Sequence, residues 1–97
     1  MTRDKVLEIL GEHGPELRQQ HGVKSLWVFG SVARGESSPT SDVDVLVEFI
    51  DPPTFDRFMD LKFRLEGLLG ARVDLVTQGA LRPAMREDVE REALRVA

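Results

Sequence analysis

Residues 25–49 read "SLWVFGSVARGESSPTSDVDVLVEF". The apolar run "SLWVF" (25–29) gives way at once to Gly30-Ser31 and a polar segment, and "SDVDVLVEF" (41–49) then alternates without a break. In an extended chain successive side chains point to opposite sides. Val43, Val45, Val47 and Phe49 therefore share one face of a predicted strand, with Asp42, Asp44, Leu46 and Glu48 on the other. Taken alone, the turn "GSVARG" has three readings: a plain turn, a phosphate-binding P-loop, or half of a site completed further along the chain. The P-loop needs lysine and then serine or threonine after its second glycine. Gly35 is followed by Glu36 and Ser37, so that reading fails.

On the N-terminal side, Thr2 to about Gln20 carries Val6, Leu10, His13 and Leu17 at intervals of three or four, the spacing of a helix. Gly14-Pro15 is placed to break or kink it, since proline lacks the amide that an interior turn requires. Gly22 is a helix stop. On the C-terminal side, Asp51 or Thr54 around two prolines opens a helix. Phe58, Leu61, Leu65 and Leu68 form its stripe, to which Phe55 and Phe63 are also assigned, and Gly70 ends it. "RVDLV" (72–76) reads as a third strand. Leu81, Met85, Val89 and Ala93 mark a last amphipathic helix beginning near Pro83. The expected result is a small α/β domain spanning 1–97, with helices covering a three-stranded sheet.

The carboxylates carry the chemistry. Asp42 and Asp44 leave the same face of one strand, roughly 6.6 Å apart along the chain. Like charges on an otherwise apolar strand repel each other and resist burial. Either this is an exposed edge facing water, or a divalent cation offsets the repulsion. Asp74, in the middle of "RVDLV", lies on the face opposite Val73 and Leu75. If its strand neighbours that of Asp44, all three carboxylates converge, and aspartate is unfavourable inside a strand. The three together point to a metal–carboxylate site.

Composition narrows the partners. The chain has 97 residues, 41% apolar and 31% charged, an ordinary globular mixture with one core. A net charge of −4 argues against electrostatic capture of nucleic acid or an anionic membrane, though not against phosphate met through bound cations. The absence of cysteine rules out disulfides and thiolate metal sites. No apolar stretch approaches the roughly 20 residues that span a bilayer, and "MTRDKVLEIL" lacks a signal-peptide pattern, so a cytoplasmic protein is expected.

Gly30-Ser31, ten intervening residues, Asp42-x-Asp44 and the later strand aspartate Asp74 resemble the nucleotidyltransferase fold of the DNA polymerase β superfamily. The wider stretch is similar to its minimal members, the MNT-type antitoxins found beside HEPN-domain toxins. The resemblance implies an α+β domain with a small mixed three-stranded sheet and about four helices. It implies that Asp42, Asp44 and Asp74 hold two Mg²⁺ ions, Asp74 completing the site of the ion nearer the attacking hydroxyl. Gly30 would allow close approach of the β- and γ-phosphates of ATP, and Ser31 would donate its hydroxyl and amide to them. Arg34 would add charge to the triphosphate or pair with a neighbouring carboxylate, and Ser41 would cap a turn. The implied reaction is transfer of AMP from ATP to a tyrosine of a cognate HEPN toxin in a hetero-oligomer. The chain has no tyrosine, which excludes tyrosine self-modification. Two rivals are a small-molecule transferase of the aminoglycoside-modifying kind, which needs more chain for an acceptor pocket, and an antitoxin acting by binding alone.

Other residues are assigned structural roles. Glu48 shares the face of Asp42 and Asp44 but is read as solvated at the strand end. His13 and His21 have no partner at metal-ligand spacing. Trp27 and Phe29 are read as core rather than a base-stacking platform. "REDVEREALR" is read as a solvated helix face.

Overall fold

The computed structural model describes residues 2–36 and 42–97. The first predicted helix is two. Helix α1 (Arg3–Glu12) starts at Thr2, whose side chain accepts the Lys5 N–H at 3.2 Å. Helix α2 (Gly14–His21) restarts with Pro15 in its first turn, where the missing amide has no intrahelical acceptor to lose, and stops at Gly22 in the left-handed conformation (φ +67°). Strand β1 (Val23–Phe29), the one-turn helix α3 (Gly30–Ala33) and strand β2 (Val43–Phe49) follow. Helix α4 (Phe55–Leu69) begins where Thr54 accepts the Arg57 N–H at 3.1 Å. Strand β3 (Val73–Thr77), a 3-10 turn (Gln78–Ala80), helix α5 (Pro83–Glu92) and the short strand β4 (Leu94–Arg95) complete the order.

The sheet has four strands in the order β3-β2-β1-β4, not three. β4 is only two residues long, too short for alternation to register in the sequence. It pairs antiparallel with β1, Trp27 facing Arg95, and the Val96 N–H donates to the Leu26 carbonyl at 2.8 Å. This strand also ends the last helix at Glu92, so Ala93 does not extend it. The sheet is mixed, as expected. β2 runs antiparallel to β1, with Phe29 opposite Asp44, and parallel to β3, with Asp44 opposite Asp74.

Val43, Val45 and Val47 are fully buried with Leu26 and Val28 of β1, under Val6, Leu10 and Leu17 of α1 and α2 and Leu61, Leu65 and Leu69 of α4. On the opposite face Phe29 and Leu46 pack with Val89 of α5, and Trp27 packs at their edge. One face of the sheet is thus wholly given to the core. The other is covered in part by α5, leaving Asp44 and Asp74 beside that helix.

Phe58 packs on the main core, as read from the sequence, whereas Phe55 and Phe63 do not: they are 76% and 59% exposed. Phe63 is two residues from both Leu61 and Leu65, about 200° round the helix from each, so it cannot share their stripe. Phe55 stands on the first turn of α4, ahead of that stripe. Phe55→Ser and Phe63→Ser are accordingly expected to change stability by no more than about 0.5 kcal/mol, whereas Leu65→Ala should cost about 2–5 kcal/mol. Chemical denaturation of the three variants checks this, and equal losses would mean that the aromatic pair is packed after all.

Candidate active site

The site is assembled by strand register. Phe29 opposes Asp44 at the end of β1, so the next residue, Gly30, arrives against the Asp44 side chain. Gly30 has φ +73°, a left-handed conformation that glycine adopts without steric cost. A Cβ on it would overlap Asp44 Oδ2 and sit 3.0 Å from Asp44 Cγ. The need for glycine is therefore double: backbone conformation and lack of room. The chain then makes the single turn α3, in which Val32 and Ala33 are buried, and Gly35 turns away with φ +74°.

The parallel β2–β3 pairing places Asp74 directly across from Asp44, at the ~4.8 Å spacing of adjacent strands. Asp44 is half-buried, and Asp74 and Asp42 are exposed. Burial pushes the Asp44 carboxyl above its ordinary range. The charges of Asp74 and then Asp42 push it further, and the Arg34 guanidinium opposes them. Asp42 immediately precedes β2, whose first residue is pinned to β3 by the Val43 N–H donating to the Arg72 carbonyl at 2.9 Å.

A pocket of about 370 Å³ opens over this pair. Gly30, Arg34, Asp44 and Asp74 line it together with Met85, Asp88 and Glu92 of α5. Asp42 and Ser31 border these residues in sequence without lining the pocket, and Ser41 lies outside the described residues. Arg34 is already engaged: Nε donates to Glu36 Oε2 and Nη1 to Glu92 Oε2, each at 3.0 Å. Glu48 is not part of the cluster. It is half-buried, not freely solvated, and accepts the Ser25 hydroxyl at 3.0 Å. Trp27 packs with Phe29 in the second cluster, its ring 5.9 Å from the Arg95 guanidinium carbon.

The contribution of α5 was missed in the sequence, where its charges read as a solvated face. Asp88 and Glu92 are four apart, on the side marked by Met85 and Val89, and that spacing was the available signal.

The donor set suits a hard cation. Carboxylate oxygens from two adjacent strands meet at a site where one of them is already disfavoured in its charged form. Among the described residues, no three carboxylate or imidazole groups close a cage by themselves.

The mixed sheet thus holds a carboxylate pair against a glycine turn, with an open pocket above it. The chain belongs to the nucleotidyltransferase domain family, which it matches over residues 4–96. It is 43% identical over 96 residues to the protein adenylyltransferase MntA of Thermococcus cleftensis, covering 99% of this chain and 97% of that one. A solved structure provisionally described as a minimal nucleotidyltransferase is 45% identical, with a TM-score of 0.81 over 97% of this chain and 95% of its own. At 20% identity the fold alone is shared with a chain of a toxin–antitoxin complex solved with AMP-PNP, with a TM-score of 0.73 over 90% of this chain and 72% of that one. The same holds at 17% identity for a complex of tri-AMPylated HEPN toxin with MNT antitoxin from Shewanella oneidensis, with a TM-score of 0.67 over 94% and 71% of the two chains.

Among the described residues no helix is long and apolar enough to cross a membrane.

Proposed function

We propose that this nucleotidyltransferase is a cytoplasmic antitoxin that transfers AMP from ATP to a tyrosine of a cognate HEPN-domain toxin, with which it forms a hetero-oligomer. The observation that carries the reading is the register that sets Gly30, Asp44 and Asp74 side by side in one pocket. It is supported by 43% identity, over almost the whole chain, to a protein adenylyltransferase.

In the proposed reaction the tyrosine oxygen forms a bond to the α-phosphorus, the bond from that phosphorus to the bridging oxygen breaks, and pyrophosphate leaves in line. Asp42, Asp44 and Asp74 would hold two Mg²⁺ ions. When bound, the ions supply charge stabilisation on the phosphates and acidify the acceptor hydroxyl. Gly30 leaves room for the triphosphate beside Asp44, and Ser31 offers its hydroxyl and amide to the β- and γ-phosphates. Arg34, which lines the same pocket, would add its charge to the triphosphate. Asp74, the more exposed carboxylate of the facing pair, would receive the hydroxyl proton. The acceptor comes in trans, because the chain has no tyrosine of its own.

Intact-mass measurement of the toxin after incubation with this protein, Mg²⁺ and ATP tests the reading. The expected result is a gain of one or more AMP units with the wild type and none with Asp42→Asn. A stable complex that neutralises the toxin with no mass gain would replace the transferase reading with inhibition by binding.

A further inference from the structure

Arg34 is the only cationic side chain among the described residues that line the pocket, against Asp44, Asp74, Asp88 and Glu92. Its two carboxylate partners are not equivalent. Glu36 is two residues away and 65% exposed, a local pair of the weak, solvated kind. Glu92 comes from the far end of α5, 58 residues on, and is 33% exposed. As the last residue of that helix it sits at the negative end of the helix dipole, where a carboxylate is unfavourable. Helix stability therefore does not account for a glutamate there, whereas the bond to Arg34 does.

We propose that Glu92 competes with the triphosphate for Arg34 and so sets the affinity for nucleotide. A guanidinium binds carboxylate and phosphate through the same planar donors. Glu92 thus occupies the position that a phosphate oxygen takes when nucleotide enters, and the carboxylate is displaced as the phosphate binds. The inference rests on the assignment of Arg34 to the triphosphate made above. Removing the charge of Glu92 while keeping its shape releases the guanidinium and tightens nucleotide binding.

The test is calorimetric titration of the full chain with AMP-PNP and Mg²⁺, on wild type, Glu92→Gln, Arg34→Ala and the double variant. Glu92→Gln should lower Kd by about two- to fivefold, the range set by a partly exposed ion pair. Arg34→Ala should raise Kd, and in its background Glu92→Gln should have no effect. Glu92→Asp keeps the charge on a shorter arm, and should fall between wild type and Glu92→Gln.

An unchanged or raised Kd in Glu92→Gln would overturn the proposal, as would the same tightening in the Arg34→Ala background, which would assign the effect to the overall negative charge of the pocket. If Arg34→Ala binds as tightly as wild type, the Arg34 assignment falls and the proposal with it. A wild-type protein that binds no AMP-PNP would sink the functional reading itself.

Discussion

Asp44→Asn is expected to raise the melting temperature at neutral pH while lowering nucleotidyl transfer by more than about 100-fold, the upper end of what loss of a metal-supporting group costs. The two effects share a cause. Burial and the charges of Asp74 and Asp42 hold the Asp44 carboxyl above its ordinary range, so the ionised form is less favourable folded than unfolded. A carboxyl whose folded pKa is raised loses stability as pH climbs from the unfolded value, about 3.9, through the folded one, and the deficit then persists to neutral pH. Asparagine carries no charge and escapes that deficit. Its advantage in melting temperature should therefore be present at pH 7 and vanish near pH 3, where wild-type Asp44 is protonated in both states. Added Mg²⁺ should narrow the gap at pH 7, because a cation held only by the folded wild type stabilises it. Thermal melts at the two pH values with and without Mg²⁺ provide the check. A variant that melts lower than wild type at pH 7 would show that Asp44 is held by favourable contacts and is not under electrostatic stress.

Gly30→Ala carries the second large effect. Two costs add at this position: a left-handed backbone at φ +73° and a methyl group that overlaps the Asp44 carboxylate. Backbone strain alone is worth about 1–3 kcal/mol. The overlap forces either the α3 turn or Asp44 to move, so transfer activity should be lost even in protein that remains folded. Gly35→Ala is the matched control. Its φ is +74°, nearly the same, but a Cβ there meets nothing within 4 Å. It should pay only the backbone cost and leave the pocket intact. Each kcal/mol shifts the melting temperature of a chain this size by roughly 4–8 °C, so calorimetry resolves the two variants and the transfer assay separates them. Equal activity in both would show that the close approach of Gly30 to Asp44 is not needed for transfer.

Much of this site is legible in one dimension because its parts sit on regular elements. The alternation of "SDVDVLVEF" assigns Asp42 and Asp44 to one face and the valines to the core, and the core packing of Val43, Val45 and Val47 agrees. The break at Gly14-Pro15 and the stop at Gly22 follow from the absent amide and the left-handed cap, both properties of single residues. The alternation of "RVDLV" separates Asp74 from Val73 and Leu75 before any neighbour is known, and those two are buried while Asp74 is exposed.

What escaped was set by contacts between distant segments. β4 is two residues long and exists only because β1 offers it an open edge. The exposure of Phe55 depends on where α4 meets the sheet, whereas that of Phe63 was open to reading from its spacing against Leu61 and Leu65. The role of α5 was hidden for a related reason: Asp88 and Glu92 look solvated until the helix is laid across the sheet and they border the pocket.

Local chemistry, then, was written in the order of residues: where strands alternate, where glycine is required to turn, and which aspartates cannot be core. Tertiary packing alone chose the register that sets Asp44 opposite Asp74 and the helix that ties Glu92 to Arg34. Alternation has a period of two and states only a face. Which residue stands across from which depends on pairing between segments some thirty positions apart, and no local pattern encodes it.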